Sequence, residues 1–335
     1  MNLKPAHRLL YAACFALMGN VNAADFIKPT PWSSLVTNDI QRFLPSDEVR
    51  TLLAGEDEFI SLYRQSMAAS QRGIVLIIPD WQHLPTNNAG INFLRKQLNE
   101  IGYATPAMTM PDIDWHPVDM ATPESPESSE SESTTQSNEQ GDEQGDEQGD
   151  EQGDEQGDEQ GDEQGDEQAA SAPPAQTQQA PHFVTGEPNI SEAVLDDYKL
   201  KLIARFNALY NSAMDEGGNI IVVAQGASAG LLIEHYASFP NNELNAFISL
   251  GSYLPNSVRN QHLNATLSTI SPPLLDIFYS EGNPDTLQSV KDRKRWVRKH
   301  AKYDYRQREL FGVPSEPEQH QRLLKEVDGF LRRLF

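Results

Sequence analysis

Apolar residues recur along this chain in two alternating patterns. Gly73-Ile74-Val75-Leu76-Ile77-Ile78-Pro79 is an unbroken apolar run, as expected of a strand covered on both faces. Ile91 to Ile101 places Phe93, Leu94, Leu98 and Ile101 on one side of a helix. Tyr103 to Met110 reads as a second strand. Further on, Leu195, Tyr198, Leu202, Phe206, Leu209 and Ala213 recur at helical spacing, and Gly217-Gly218 ends that helix. Ile220 to Ala224 is a β-branched strand, followed by a helical run from Leu231 to Tyr236. Ala246–Leu250 and Leu274–Tyr279 read as strands, Thr286–Lys299 as a basic helix, and Tyr303–Leu310 as a last strand. Glu318–Leu334 closes the chain as a helix with Leu323, Val327, Phe330, Leu331 and Leu334 as its buried stripe. Strand and helix alternate, so the expected class is α/β: a mostly parallel, doubly wound sheet with helices on both faces.

A polar tract interrupts this pattern. Glu139 to Gln168 is seven copies of Glu-Gln-Gly-Asp plus a final Glu-Gln. Self-repulsion and glycine entropy leave nothing to offset the cost of ordering it, so it reads as disordered. Its flanks are Ser/Glu/Pro-rich and Ala/Pro/Gln-rich. A weak divalent-cation tract is the sharper reading, but the spacing fits neither an EF-hand loop nor the glycine-rich calcium nonapeptide. The expected organisation is a leader at 1–23, a first domain part at 24–111, a disordered acidic insert at 112–181 and a second domain part at 182–335. The two parts together suit one α/β domain.

Charge follows the same division. The formal net charge is −23, and residues 124–168 hold nineteen carboxylates, whose removal leaves about −4. Phosphate binding needs a basic face, so nucleic acid is not an expected partner. Lys291 to Lys302 is locally basic. It reads as a solvated helix face, or as a dock for the polyacid tract or for anionic lipid or polysaccharide.

The first residues read as a secretory signal. Lys4, His7 and Arg8 precede an apolar stretch from Leu9 to Met18, and Val21-Asn22-Ala23 fits a cleavage site. The stretch is too short to span a membrane as a mature helix, so no mature membrane span is expected. Cys14, the only cysteine, falls inside it. A chain cut after Ala23 has no disulfide, thiol nucleophile or cysteine metal site, and no cofactor or metal is expected. Secretion across an inner membrane, into a periplasm, is the expected destination.

Candidate chemistry centres on Gly226-Ala227-Ser228-Ala229-Gly230, which fits G-x-S-x-G between a strand and a helix, the setting of a nucleophile elbow. An elbow on a middle strand of this alternation is the α/β-hydrolase order. Ile77-Ile78-Pro79-Asp80-Trp81, the elbow, Leu275-Asp276-Ile277 and Tyr305-Arg306-Gln307 together resemble domain of unknown function 3530. That is a proteobacterial family of uncharacterised secreted proteins grouped with α/β-hydrolases. The resemblance covers nearly the whole chain outside leader and insert. It implies the fold and an esterase-like chemistry, without a substrate.

A serine hydrolase needs a base after the last strand and an acid before it, in the order Ser…Asp/Glu…His. Ser228 is the expected nucleophile and His320 the expected base. Ser315 and Glu318 fit a capping box, which puts His320 in the first turns of a helix. His262 reads as a loop residue and stays open as an alternative base. His300 falls at the opposite sheet edge, and His235 lies two turns into the elbow helix. Asp285 or Glu281, after the Leu274–Tyr279 strand, is the expected acid. Asn283-Pro284-Asp285 also reads as a helix start. Asp276 is expected in a structural ion pair with Arg306. The oxyanion hole would use the backbone N–H of Ala229 and one from Asp80 or Trp81. Pro79-Asp80-Trp81-Gln82-His83 lacks the His-Gly common there, and Asp80 brings negative charge to a place that must stabilise an oxyanion. Trp81 and His83 are candidates for lining a binding mouth.

Two functions therefore stand. One is a secreted serine hydrolase cleaving an ester or amide through a Ser228 acyl-enzyme. The other is a catalytically degenerate hydrolase-fold protein that binds cell-envelope components.

Overall fold

A computed structural model describes residues 30–81, 83–113, 189–239 and 244–335. The expected leader, and all of the expected insert except Asp112 and Ile113, lie outside the described residues. All described residues belong to one compact unit.

The core is an eight-stranded sheet. Its strands are β1 (Val49–Ala54), β2 (Asp57–Arg64), β3 (Gly73–Ile78), β4 (Tyr103–Met108), β5 (Asn219–Gln225), β6 (Ala246–Leu250), β7 (Leu274–Tyr279) and β8 (Tyr305–Leu310). Their order is β1-β2-β4-β3-β5-β6-β7-β8. β2 is antiparallel to both neighbours, and every other pairing is parallel. The helices are α1 (Trp32–Phe43), α2 (Ile91–Glu100), α3 (Glu192–Met214), α4 (Gly226–Ser238), α5 (Ser257–Leu267), α6 (Pro284–Lys299) and α7 (Pro317–Leu334).

Alternation along the strands divides the core in two. Ile74, Leu76 and Ile78 of β3, with Ile220, Val222 and Ala224 of β5, join Leu202 and Phe206 of α3, Leu232 of α4 and Leu263 of α5. The intervening Val75, Ile77, Ile221 and Val223 face Val36 of α1, Leu94 of α2 and Leu323 and Val327 of α7. Burial on both faces is why the central strands carry unbroken apolar runs.

The structure corrects several expectations. Helix α1 and the β1–β2 hairpin stand in addition to the elements expected from the sequence. His262 sits on helix α5 rather than in a loop. Helix α7 is capped by Glu316 with Pro317 as its first residue, and no side chain closes its N-terminus, so the Ser315 capping box does not form. Asp276 does not pair with Arg306. The register sets Asp276 opposite Gln307 and Leu275 opposite Arg306, so Arg306 points to the other face. Asp276 instead accepts from Arg293 Nη1 at 2.8 Å and from Tyr305 Oη at 2.8 Å. Arg293, expected on a basic surface, is fully buried in that pair.

Candidate functional site

The parallel strands present their carboxyl ends to one edge, where the loops after β3, β5, β7 and β8 meet. Each expected site residue belongs to one of these loops or to the helix that follows.

The strand-to-helix turn after β5 has its apex at Gly226. β5 ends at Gln225, Gly226 has φ +57°, and α4 begins there. Ser228 lies two residues later as the third residue of α4. Among the described residues only Ala301 combines a side chain with positive φ, so Ser228 is not held in the strained turn that exposes a nucleophile. It is fully buried. Its hydroxyl lies beside that of Tyr198, and neither completes a hydrogen bond. Burial pushes the Tyr198 phenol well above its usual range, and the negative charge of Asp80 adds to this, so it stays protonated.

Asp80 occupies the turn. Its Oδ1 accepts from the backbone N–H of Ala227 at 2.7 Å and of Trp81 at 2.8 Å. A Cβ on Gly226 would stand 2.2 Å from this carboxylate, which therefore lies where a side chain at the apex would project. The two N–H groups are those an oxyanion hole needs: one from the residue after the apex and one from the loop after β3. A buried carboxylate inside the protein fills that hole. Ala229, the expected donor, is one residue further along α4 than Ser228. Gly230 also has a packing role, since a Cβ there would meet the Tyr253 carbonyl at 2.2 Å. Both glycines of the motif are thus required by close approach.

His320 is nine-tenths buried in the first turns of α7. Its Nε2 lies 2.9 Å from the Asn88 carbonyl and 3.0 Å from the Pro314 carbonyl. Two carbonyl acceptors on one nitrogen make that nitrogen the N–H donor. The ring stacks on Phe93 at 5.4 Å between centroids. It ties α7 to the loop before α2 and is not bonded to Ser228. Asn283 caps α6, its Oδ1 accepting from the Asp285 N–H at 2.7 Å, so Asp285 is a first-turn residue of that helix, and burial raises its carboxyl above the usual range. No histidine bonds to it, and Glu281 is exposed. The loops therefore bring Asp80, Trp81, Tyr198 and Ser228 together, but they do not join Ser228, His320 and Asp285.

Trp81 is buried against Tyr198, with ring centroids 6.3 Å apart, and does not line a mouth. His83 is half-exposed, its Nδ1 3.8 Å from Asp80 Oδ2, and burial lowers its pKa below 6.5. Sequence reading missed Gly226 as apex, Ala227 as donor and Tyr198. The available signal was that Gly226 directly follows the β-branched run, which makes it the turn residue.

Sheet order, the antiparallel β2 and the strand–turn–helix after β5 define the α/β-hydrolase fold. The chain belongs to the family described as Protein of unknown function (DUF3530), which matches residues 27–333. Among solved structures, Est1E from Butyrivibrio proteoclasticus is similar at 10% identity and TM-score 0.50, covering 86% of this chain and 98% of that one. Dienelactone hydrolase from Anabaena variabilis is similar at 11% identity and TM-score 0.50, covering 85% and 96%. At such identity the likeness is one of fold. No curated protein matches in sequence.

Proposed function

We propose that this chain binds its ligand without hydrolysing it, as a secreted, periplasmic envelope protein built on a hydrolase fold. The observation that carries this is the Asp80 carboxylate, which accepts both N–H groups above Gly226. An oxyanion forming there would have to displace a negative charge already held by two charge-assisted hydrogen bonds. The position of His320 supports the same reading, because its N–H is committed to backbone carbonyls. The signal-like leader carries the envelope location.

The second reading, a serine hydrolase forming an acyl-enzyme on Ser228, is favoured by one observation: that hydroxyl is buried beside the plugged hole without completing a hydrogen bond. A fluorophosphonate probe separates the two. On folded wild-type protein we expect no labelling beyond that of Ser228→Ala. Stoichiometric labelling lost in Ser228→Ala would overturn the binding reading and install the hydrolase.

A further inference from the structure

A concavity of about 410 Å³ opens at the same sheet edge, between α1, the β1–β2 hairpin, Thr109 after β4 and Arg205 of α3. Arg205 lies two turns beyond Tyr198 on α3, about 10 Å along the axis, and Tyr198 senses the charges of both Asp80 and Arg205.

The floor is built. Arg205 is almost fully buried, with Nε 2.9 Å and Nη2 2.8 Å from Asp57 Oδ2, and with Nη1 donating to the Thr109 carbonyl at 3.2 Å. A guanidinium has five N–H groups, so these contacts leave two of them without a partner named here. Asp57 is half-exposed, and its Oδ1 remains as an acceptor beside them. The walls add Asn38, Gln41 and Glu58, whose side chains make no hydrogen bond to the described protein.

This lining selects by chemistry. Two carboxylates against one guanidinium leave it net negative, which disfavours phosphate and carboxylate ligands. Phe59 and Ile60 are buried, and the Phe59 ring already faces Arg205 at 5.2 Å, so there is no apolar wall for an acyl chain. Planar groups that donate (Arg205), accept (Asp57 and Glu58) or do both (Asn38 and Gln41) remain. Adjacent hydroxyls, each a donor and an acceptor, are their complement. The volume lies within the range of small-ligand pockets, about 300–1,000 Å³.

We infer that this pocket binds a neutral saccharide of one or two rings, with vicinal hydroxyls on Arg205 and Asp57 and the rest held by Asn38, Gln41 and Glu58. The inference deepens the binding reading by naming its ligand class and site.

Isothermal titration of the full chain with maltose, cellobiose, trehalose and chitobiose tests it, with inositol hexakisphosphate and decanoate as controls. We expect at least one disaccharide to bind with Kd below about 1 mM, or roughly −4 kcal/mol. The double variant Asn38→Ala/Gln41→Ala, on the solvent side of α1, should weaken that affinity at least tenfold, while Ser228→Ala leaves it unchanged. Absence of binding by all four sugars overturns the inference. So does binding that the double variant does not weaken, or binding of a control alone. The outcome is independent of the fluorophosphonate result. Labelling with sugar binding retained rejects the non-hydrolytic reading and keeps the pocket, whereas neither labelling nor sugar binding rejects the pocket alone.

Discussion

At the residue scale, Asp80 and Gly226 are two halves of one feature. The carboxylate sits over the bare Cα of Gly226, and its Oδ1 satisfies two buried N–H groups. Hydrogen bonds to a charged group contribute about 1.5–3 kcal/mol each, so Asp80→Ala should cost about 3 kcal/mol in denaturant unfolding. Gly226→Ala should cost more than that, because the new Cβ meets the carboxylate at 2.2 Å and φ is +57°. Combining Gly226→Ala with Asp80→Gly relieves the clash. The double variant should therefore be more stable than the sum of the singles by at least about 1 kcal/mol. Additive losses would show that the carboxylate does not fill the apex.

At the element scale, the buried pair on β7 and α6 is the sharpest test of packing. Arg293 and Asp276 have no exposed side-chain area, and Arg293 Nη2 also holds the Ser252 carbonyl at 2.6 Å and Ser289 Oγ at 2.7 Å. Breaking one partner of such a pair costs about 3–5 kcal/mol. Asp276→Ala should therefore lower the unfolding free energy by that amount. Tyr305→Phe, which removes one hydrogen bond to the same carboxylate, should cost about 1 kcal/mol. Equal losses for the two variants would mean that the ion pair is not the dominant contact. The pair also shows what pattern reading reaches. The buried strands, their order of appearance and the closing helix were legible, because unbroken apolar runs and 3.6-residue stripes record burial directly. Arg293 was not legible: a basic helix looks solvated until strand register shows where its partner points. The candidate site failed for a related reason. G-x-S-x-G matches residues, whereas an elbow is defined by where the strand ends. Here it ends two residues before the match expects, so glycine takes the apex and serine falls inside the helix. His320 was placed in the right helix, but its carbonyl partners come from the loop before α2 and from Pro314, which no periodicity reveals.

At the scale of the whole molecule, the helices covering one face of the sheet are joined by a charge network centred on Glu234 of α4. Its carboxylate accepts from Lys199 of α3 at 2.9 Å and from Arg259 Nε of α5 at 3.0 Å, with Arg259 Nη2 also on Oε2. Arg259 in turn reaches Asp196 of α3 at 2.8 Å. Burial alone would raise the Glu234 pKa, but the hydrogen bonds from Arg259 and Lys199 outweigh it and hold the group below its ordinary 4.5. The unfolded chain therefore takes up this proton at a higher pH than the folded one. The stabilisation is fully present above pH 4.5 and is lost as pH falls through the depressed folded value. Glu234→Gln removes the charge but keeps the shape. At pH 7 it should lower the unfolding free energy by about 1–3 kcal/mol. The deficit should shrink steadily below pH 4.5, as protonation leaves the wild type with a neutral side chain at the same position. Parallel stability curves for the two proteins from pH 7 down to pH 3 would show that the three helices are held by apolar packing alone.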